Sequence, residues 1–323
     1  MTALPRQAPA PTTLRRLLLG PILSVVFVLM WTSGFVVGPI GVAAAPPLAL
    51  TFWRMVVASA VMVAVSLVTK APWPRGRAAW AQLIVTGILM QGVMFSGAYI
   101  GFSLGLSAGL AALINGTFPI IVAAAGVFVL KERLSAMQWV GTVLGFAGIA
   151  VAVSGELDGT SVGIGALLAL LGTAGLSAGT LIQRRSGAHL DLRTGAVVQL
   201  AAAAVFVAPL AVFDGGLAIP VNLTTVASIG WLAIGNSALA LGLMFVMLRH
   251  RTAADTTRRL LLVPPLTALI AWPVLGQTPH AIIWLGLVVT VTGIAIASRQ
   301  PRTKPRLAPD RETVRQLQPV GGE

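Results

Sequence analysis

Arg54 is the residue in this chain that most needs a chemical explanation. It stands in the segment LALTFWRMVVASA, whose other members are apolar or small. A guanidinium inside a membrane-spanning helix costs roughly 3 kcal/mol even on insertion scales, so it needs a partner or a function. One interpretation is that Arg54 faces a central cavity and attracts a substrate carboxylate or phosphate, or pairs with a helix C-terminus. The other is that its side chain extends outward or satisfies backbone carbonyls as a packing strut.

Polar residues also recur at a spacing of 145 residues. Three pairs are related in this way, namely Arg54 and Gln199, Gln91 and Asn236, and Thr32 and Ser177. Polar groups at equivalent depths are what a cavity between two inverted halves requires, although each could instead be a hydrogen bond between helices worth about 1 kcal/mol. With three further residues that could line such a cavity, the predicted substrate-binding set is Trp31, Thr32, Arg54, Gln91, Tyr99, Asn115, Gln199 and Asn236.

The sequence lacks the residue patterns of an enzyme. None of the three histidines, His189, His250 and His280, has a second metal ligand four residues away. There is no cysteine and no P-loop. We therefore expect no catalytic residue, metal or cofactor. Two rival hypotheses are a transport-inactive scaffold or sensor and an intramembrane enzyme acting on lipids, which would need clustered acids or a metal triad.

The composition indicates a membrane protein with many spans. The 323 residues are 56% hydrophobic and 10% charged, with a mean hydropathy of +0.90. The formal charge of +13 is spread singly or in pairs between apolar runs, so the expected partner is a lipid bilayer and not nucleic acid. Ten apolar runs are long enough to span, at residues 17–37, 48–68, 80–102, 106–130, 136–154, 162–182, 195–213, 226–248, 256–275 and 280–298.

The basic residues predict the orientation of these spans. If the N-terminus is cytoplasmic, 21 of the 22 lysines and arginines fall in inward segments, and Arg54 alone remains. Cytoplasmic loops collect Lys and Arg, so both termini are expected in the cytoplasm. The outward loops instead carry Glu156, Asp158 and Asp214. The polar termini, residues 1–14 and 299–323, are predicted to be disordered cytoplasmic tails.

A repeat relates the two halves of the chain. The shift of 145 residues places Pro119 on Pro264 and Trp139 on Trp284 without a gap. Each half would contain five helices, an odd number, so the second half must enter the membrane from the opposite side. The sequence thus predicts an all-α membrane protein of ten transmembrane helices in two inverted five-helix repeats, at residues 15–154 and 155–298.

Four further residues are candidates for structural or gating roles. Prolines 119, 264 and 265 are expected to kink the fourth and ninth helices, which frees carbonyls or provides hinges. Glu132 could couple protons, but its position at a helix end between Lys131 and Arg133 favours a structural ion pair. The predicted spans contain no Asp or Glu, which argues against proton coupling through a buried acid and favours facilitated exchange or gradient-driven flux.

Three segments carry a family resemblance. They are FVLMWTSGFVVGPI at 27–40, PPLALTFWRM at 46–55 and the long run from SAGLAALINGTFPI to VLGFAGIAVA at 107–152. With them the chain resembles the EamA family of the drug/metabolite transporter superfamily, over nearly all of residues 17–298. The resemblance implies a secondary transporter that moves a small metabolite, an amino acid or related compound, across a bacterial inner membrane by alternating access. Export, by a monomer or homodimer, is the expected mode.

Overall fold

A computed structural model of the protein describes residues 13–156, 160–186, 190–239, 260–278 and 280–298. The regular elements of these residues are all helices. In chain order they are α1 (Thr13–Ala44), α2 (Pro47–Val68), α3 (Arg77–Ser103), α4 (Ala108–Val129), α5 (Ala136–Ser154), α6 (Thr160–Ser186), α7 (Leu192–Phe213), α8 (residues 223–239), α9 (Val263–Leu275) and α10 (Ala281–Ala297).

The described helices are those of an all-α membrane protein. Seven of them, within α1 to α7, are long and apolar enough to cross a bilayer. The shorter apolar helices α9 and α10 are described as well, and α8 is described as far as residue 239, because residues 240–259 lie outside the described ranges. Parts of the predicted eighth and ninth spans therefore lie outside as well, as do residues 1–12 and 299–323 of the predicted tails.

The first helix extends further along the chain than the sequence predicted. The predicted first span, 17–37, lies within α1, which continues to Ala44. The helix ends where Pro46 and Pro47 follow, because the residue before a proline is disfavoured in helical conformation. Helix α1 begins at Thr13, so it includes residues 13 and 14, which were predicted to belong to the N-terminal tail.

Helices α5 and α10 pack closely in antiparallel directions. A Cβ added at Gly141 would lie 2.4 Å from the Ala297 nitrogen, and one added at Gly286 would lie 2.6 Å from the Ala152 nitrogen. Small residues on both faces let the two backbones approach each other. The 145-residue shift places Gly141 on Gly286 and Ala152 on Ala297. The contacts at one end of the helix pair are therefore repeated at its other end, with the two helices exchanged.

Other helix pairs show the same antiparallel pattern. In α6, Gly179 packs against Met90 of α3, and in α1, Gly34 packs against Asn236 of α8. The 145-residue shift places Gly34 on Gly179 and places Met90 one residue before Asn236, so the two contacts are nearly equivalent. Each of these pairs joins one helix from each half, and the 145-residue shift relates one pair to the other.

Helices α3 and α8 both contain wide π turns, at Ile88–Val93 and Trp231–Leu239. The shift of 145 residues places the first turn inside the second. π turns are uncommon and occur frequently at functional sites. They also fix the register of Gln91 and Asn236, which occupy equivalent positions in the two turns.

The predicted proline positions coincide with interruptions of helices. Helix α4 is broken at Thr117, and its second segment, Phe118–Val129, carries Pro119 in its first turn. A turn at residues 261–262 precedes α9, where Pro264 and Pro265 occupy the first turn. Prolines are tolerated there because the missing N–H has no partner within the helix. The prolines thus start helical segments, and the breaks lie just before them.

The charges of the described loops divide between the two ends of the bundle. At one end, here called the basic end, the Arg193 guanidinium donates to the Thr69 carbonyl (3.5 Å) and the Thr194 hydroxyl donates to the Pro72 carbonyl (2.7 Å). These bonds join the loop after α2 to the first turn of α7. The described lysines and arginines outside the helix interiors lie at this end, namely Lys70, Arg75, Arg77, Lys131, Arg133, Arg184, Arg185 and Arg193. The opposite, acidic end carries Glu156 and Asp214.

Asp191 starts helix α7 at the basic end. Its carboxylate accepts from the Arg193 backbone N–H (2.9 Å) and from the Arg193 guanidinium (2.7 and 3.0 Å). Hydrogen bonding from that guanidinium lowers the pKa of the Asp191 carboxyl, against the opposing effect of its partial burial. The cap therefore stays ionised and satisfies a backbone donor of the first turn.

Candidate functional site

Arg54 joins three helices from both halves of the chain. Its side chain is 1% exposed, and Nη1 donates a 2.5 Å hydrogen bond to the Tyr99 hydroxyl of α3. Nη2 donates to Asn236 Oδ1 (2.9 Å) and to Ser237 Oγ (3.2 Å), both on α8. The guanidinium therefore neither extends to the interface nor binds backbone carbonyls within the described residues. Its partners are neutral side-chain oxygens.

An aromatic ring completes the surroundings of the guanidinium. Arg54 Cζ lies 3.7 Å from the centroid of the Phe95 ring, within the range of a cation–π interaction. Phe95 and Tyr99 are four residues apart on α3, so they present their rings to the same side. We call Arg54, Phe95, Tyr99, Asn236 and Ser237 the Arg54 cluster.

Asn236 is held in place from the side opposite Arg54. Its Nδ2 donates to the Met30 carbonyl of α1 (2.9 Å). A Cβ added at Gly34 would lie 2.6 Å from that nitrogen, so only a glycine leaves room for the amide there. A second bond, from Trp231 Nε1 to Ser33 Oγ (2.9 Å), also ties α8 to α1. The amide oxygen of Asn236 is thus oriented toward Arg54.

Three other predicted residues lie outside the Arg54 cluster. Trp31 and Asn115 line a small cavity of about 20 Å³ beside Pro119, large enough for about one water molecule. Asn115 is 6% exposed, and its Nδ2 has no hydrogen-bond partner within the described residues. The buried Thr32 hydroxyl also lacks a partner there. Buried polar groups are nearly always paired, so these donors are available to a bound molecule.

Gln91 and Gln199 do not join the Arg54 cluster. Gln199 Nε2 donates to the Thr86 hydroxyl of α3 at 3.0 Å. Gln91 is half-buried in the π turn of α3 and makes no side-chain hydrogen bond to any described residue. The Arg54 to Asn236 bond thus has no counterpart between Gln199 and Gln91, although the 145-residue shift relates the two pairs.

Sequence reasoning missed Phe95 and Ser237. Phe95 precedes Tyr99 by one helical turn, and that spacing is a signal that could have identified it. Ser237 follows Asn236 directly, and the two side chains face the same guanidinium only because the turn there is a π turn. A sequence gives no clear signal for such a turn.

Two cavities open at the acidic end of the bundle. The larger, of about 490 Å³, is lined by the end of α1 from Pro39 to Ala44, by Asn222 and Thr224, and by Leu275 and Gln277 after α9. The smaller, of about 230 Å³, shares Gln277 and also borders Glu156 and His280. Gln277 Oε1 accepts from the Ala108 backbone N–H (2.9 Å), which caps the start of α4.

The equivalent place at the basic end is bridged by an ion pair. Glu132 Oε1 accepts from Arg184 Nη2 of α6 at 3.0 Å, and both side chains are nearly half exposed. The expected ion pair of Glu132 is therefore present, but its partner is Arg184 and not the flanking Lys131 or Arg133. The 145-residue shift places Glu132 on Gln277 and Pro39 on Arg184, so the pair occupies the position equivalent to the larger cavity.

Comparison with known proteins identifies the family. A profile described as the EamA-like transporter family matches residues 18–154 and again residues 163–299. The chain belongs to the EamA-like transporter family. As a member of this family the chain is a transporter and not an enzyme, and its two matched segments suggest duplicated halves.

Individual relatives of this EamA-like transporter agree with that assignment. The uncharacterized inner membrane transporter YedA of Escherichia coli K12 is 26% identical over 282 residues, which cover 86% of this chain and 90% of YedA. A probable amino-acid metabolite efflux pump of Salmonella typhimurium LT2 is 24% identical, with 85% and 93% covered. A solved crystal structure shares the fold, with a TM-score of 0.60 at 19% identity over 85% of this chain and 95% of that chain.

The described residues contain no group of three His, Asp or Glu side chains that could hold a metal ion. The chemistry that the Arg54 cluster can provide is binding. It offers a positive charge, an aromatic face and several hydrogen-bonding side chains at the meeting point of α2, α3 and α8.

Proposed function

We propose that this EamA-like transporter moves a small metabolite, an amino acid or related compound, out of the cell across the bacterial inner membrane by alternating access. The observation that carries the proposal is the contrast between the two ends. A cavity of about 490 Å³ lies beside Gln277 and Pro39, while the equivalent Glu132 and Arg184 are bridged. A carrier that exposes its site to one side at a time needs such a difference between equivalent positions.

We propose that alternating access is carried out by ten transmembrane helices arranged in two inverted halves. The antiparallel α5 and α10 pair supports it, because its contacts repeat under the 145-residue shift. The equivalent π turns in α3 and α8 support it too. A two-fold axis in the membrane plane would exchange the halves, so the alternative state would close the cavity at Gln277 and open the ion pair at Glu132.

The basic end is proposed to face the cytoplasm, with both termini on that side. The loops at this end hold the described loop lysines and arginines, as cytoplasmic loops do. The chain has no cysteine, so single cysteines report sidedness without background. In intact cells an impermeant maleimide should label a cysteine at position 214 but not one at position 75. Labelling of position 75 from outside would reverse the orientation.

The substrate is proposed to bind among the eight residues named from the sequence. Arg54, Tyr99 and Asn236 already form one cluster. Trp31 and Asn115 line a second, smaller space, and the Thr32 hydroxyl and the Asn115 amide have no hydrogen-bond partner among the described residues. We assign Gln91 and Gln199 to the opposite state, in which the second half would adopt the contacts that the first half makes here. Pro119, Pro264 and Pro265 mark the helix breaks at which the halves bend.

Counterflow in vesicles tests the proposal. Purified protein is reconstituted into liposomes preloaded with an unlabelled amino-acid mixture, and uptake of labelled amino acids is followed. The name of the Salmonella relative supports amino acids as the first probes. We expect transient accumulation of at least one probe, well above vesicles without protein. Absence of exchange with every probe, from monodisperse protein, would favour a transport-inactive scaffold or sensor.

A further inference from the structure

We propose that the Arg54 cluster binds the carboxylate of a substrate that carries a single negative charge on that group. This inference rests on the proposed transport function and names the class of molecule carried. Among the described residues, it follows from the charge balance of the site, from one free donor edge of the guanidinium, and from the lack of a second cation beside it.

The charge of Arg54 has no counter-ion among the described residues. The described carboxylates, Glu132, Glu156, Asp191 and Asp214, lie in loops at the ends of the bundle. Both ion pairs of the described residues involve those loop carboxylates, and Arg54 contacts only neutral oxygens and an aromatic ring. A buried charge without a partner is strongly unfavourable. A bound anion would supply the missing charge.

One edge of the guanidinium is left for that anion. Arg54 Nε is buried and has no hydrogen-bond acceptor among the described residues. A carboxylate that approaches from the side takes Nε–H with one oxygen and an Nη2–H with the other, as two parallel hydrogen bonds. Nη2 has its longest contact, 3.2 Å, with Ser237 Oγ. Ser237 also donates to the Leu232 carbonyl at 3.1 Å, so it keeps a partner when Nη2 turns to the substrate.

The site fits a carboxylate better than a phosphate ester. A phosphate monoester carries a charge of about −1.5 to −2 at neutral pH, which one guanidinium cannot balance. Among the side chains that the structure describes, Arg54 is the only cation in the interior of a helix, and the others lie at helix ends or in loops. Its surroundings include the apolar side chains of Phe95 and Met55. A dianion would therefore leave an unpaired negative charge among apolar groups.

Entry to the site requires movement of α8. Asn236 and Ser237 cover the guanidinium, which is 1% exposed. Both lie in the π turn Trp231–Leu239. Such turns hold their backbone by wider and less regular hydrogen bonds than the α-helix, so a local shift there is less costly.

The test measures efflux of four labelled probes from vesicles containing the full-length protein. L-Leucine and 4-methyl-2-oxopentanoate share a carboxylate, and only leucine has an ammonium group. L-Leucinamide keeps the ammonium and the side chain but lacks the carboxylate, and inorganic phosphate represents the dianion. We expect the wild-type protein to release one or both carboxylate probes at least tenfold faster than leucinamide and phosphate. The response to 4-methyl-2-oxopentanoate distinguishes a simple acid from an amino acid as the carried form.

Substitutions at Arg54 add a second criterion. Arg54→Gln should lower carboxylate efflux at least tenfold, and Arg54→Lys should give an intermediate rate because an ammonium keeps the charge but cannot form the two parallel bonds. Arg77→Gln is the matched control, since Arg77 is exposed at the start of α3, and it should be unchanged. Monodisperse elution of each variant excludes misfolding. The comparison of the four probes on the wild-type protein tests the proposal even if a variant fails to fold.

The outcomes separate the two proposals. Leucinamide efflux equal to that of the carboxylates, phosphate as the preferred probe, or unchanged carboxylate efflux in Arg54→Gln would each overturn the carboxylate site while transport itself stands. The same holds if only other members of the amino-acid mixture move and their amides move equally well. If no probe moves at all in either experiment, the proposed transport function fails together with the inference.

Discussion

Cross-linking residue 132 to residue 184 is expected to lower the transport rate at least tenfold. Glu132 and Arg184 bridge α4 and α6 at the basic end, 3.0 Å apart. Exposed pairs of this kind contribute about 0–1 kcal/mol, so the ion pair can open and close during a transport cycle. A covalent link between cysteines at these positions would hold the basic end closed. Because the chain has no native cysteine, a short bis-methanethiosulfonate reagent would react only there.

The controls for the cross-link are the two single-cysteine variants and the untreated double variant. Each should transport at a measurable rate with and without reagent, and a reductant should restore the cross-linked protein. Flux that persists in fully cross-linked protein would mean that the basic end need not open at α4 and α6. Loss of flux in the untreated double variant alone would instead assign the ion pair a role in stability.

Gly148→Ala is expected to destabilise the protein by about 1–3 kcal/mol, the typical cost of forcing extra volume into a packed interior. A Cβ added there would lie 2.3 Å from the Thr290 hydroxyl and 2.5 Å from the Thr290 nitrogen. Backbone atoms cannot move aside as a side chain can, so α5 and α10 would have to separate. The measurement is the midpoint of thermal unfolding in detergent, together with the yield of monodisperse protein.

Gly230→Ala is the matched control for that substitution. Gly230 ends the regular part of α8, and an added Cβ there would meet nothing within 4 Å. The same change of residue should therefore be neutral or slightly stabilising, since alanine restricts the unfolded chain. Equal losses at positions 148 and 230 would contradict the close packing of α5 against α10.

Most of the helices could be predicted from the sequence because each depends on local information. An apolar run of about 20 residues is sufficient to indicate a span, and it located α2 to α7. The first helix extends beyond the predicted end of its span, since the apolar composition continues to Ala44 and only Pro46 and Pro47 mark its end. The breaks at Thr117 and before α9 were indicated by their prolines.

The partners within the site could be predicted only in part. Arg54, Tyr99 and Asn236 were each selected for their chemistry, yet the sequence could not pair residues 182 positions apart. The π turn of α8 decides that contact, and it has no sequence signature comparable to a proline or a charge. The 145-residue shift placed Gln199 at the position equivalent to Arg54, but Gln199 bonds to Thr86, so the two halves have different contacts here.

Distances across the two ends of the bundle test the central claim most directly. Spin labels at positions 39 and 277 report the acidic end, and labels at 132 and 184 report the basic end. We predict that, in reconstituted protein, conditions that shorten the first distance lengthen the second, with two exchanging populations at each end. A single unchanging distance at both ends, or widening of both ends together, would contradict alternating access by two inverted halves.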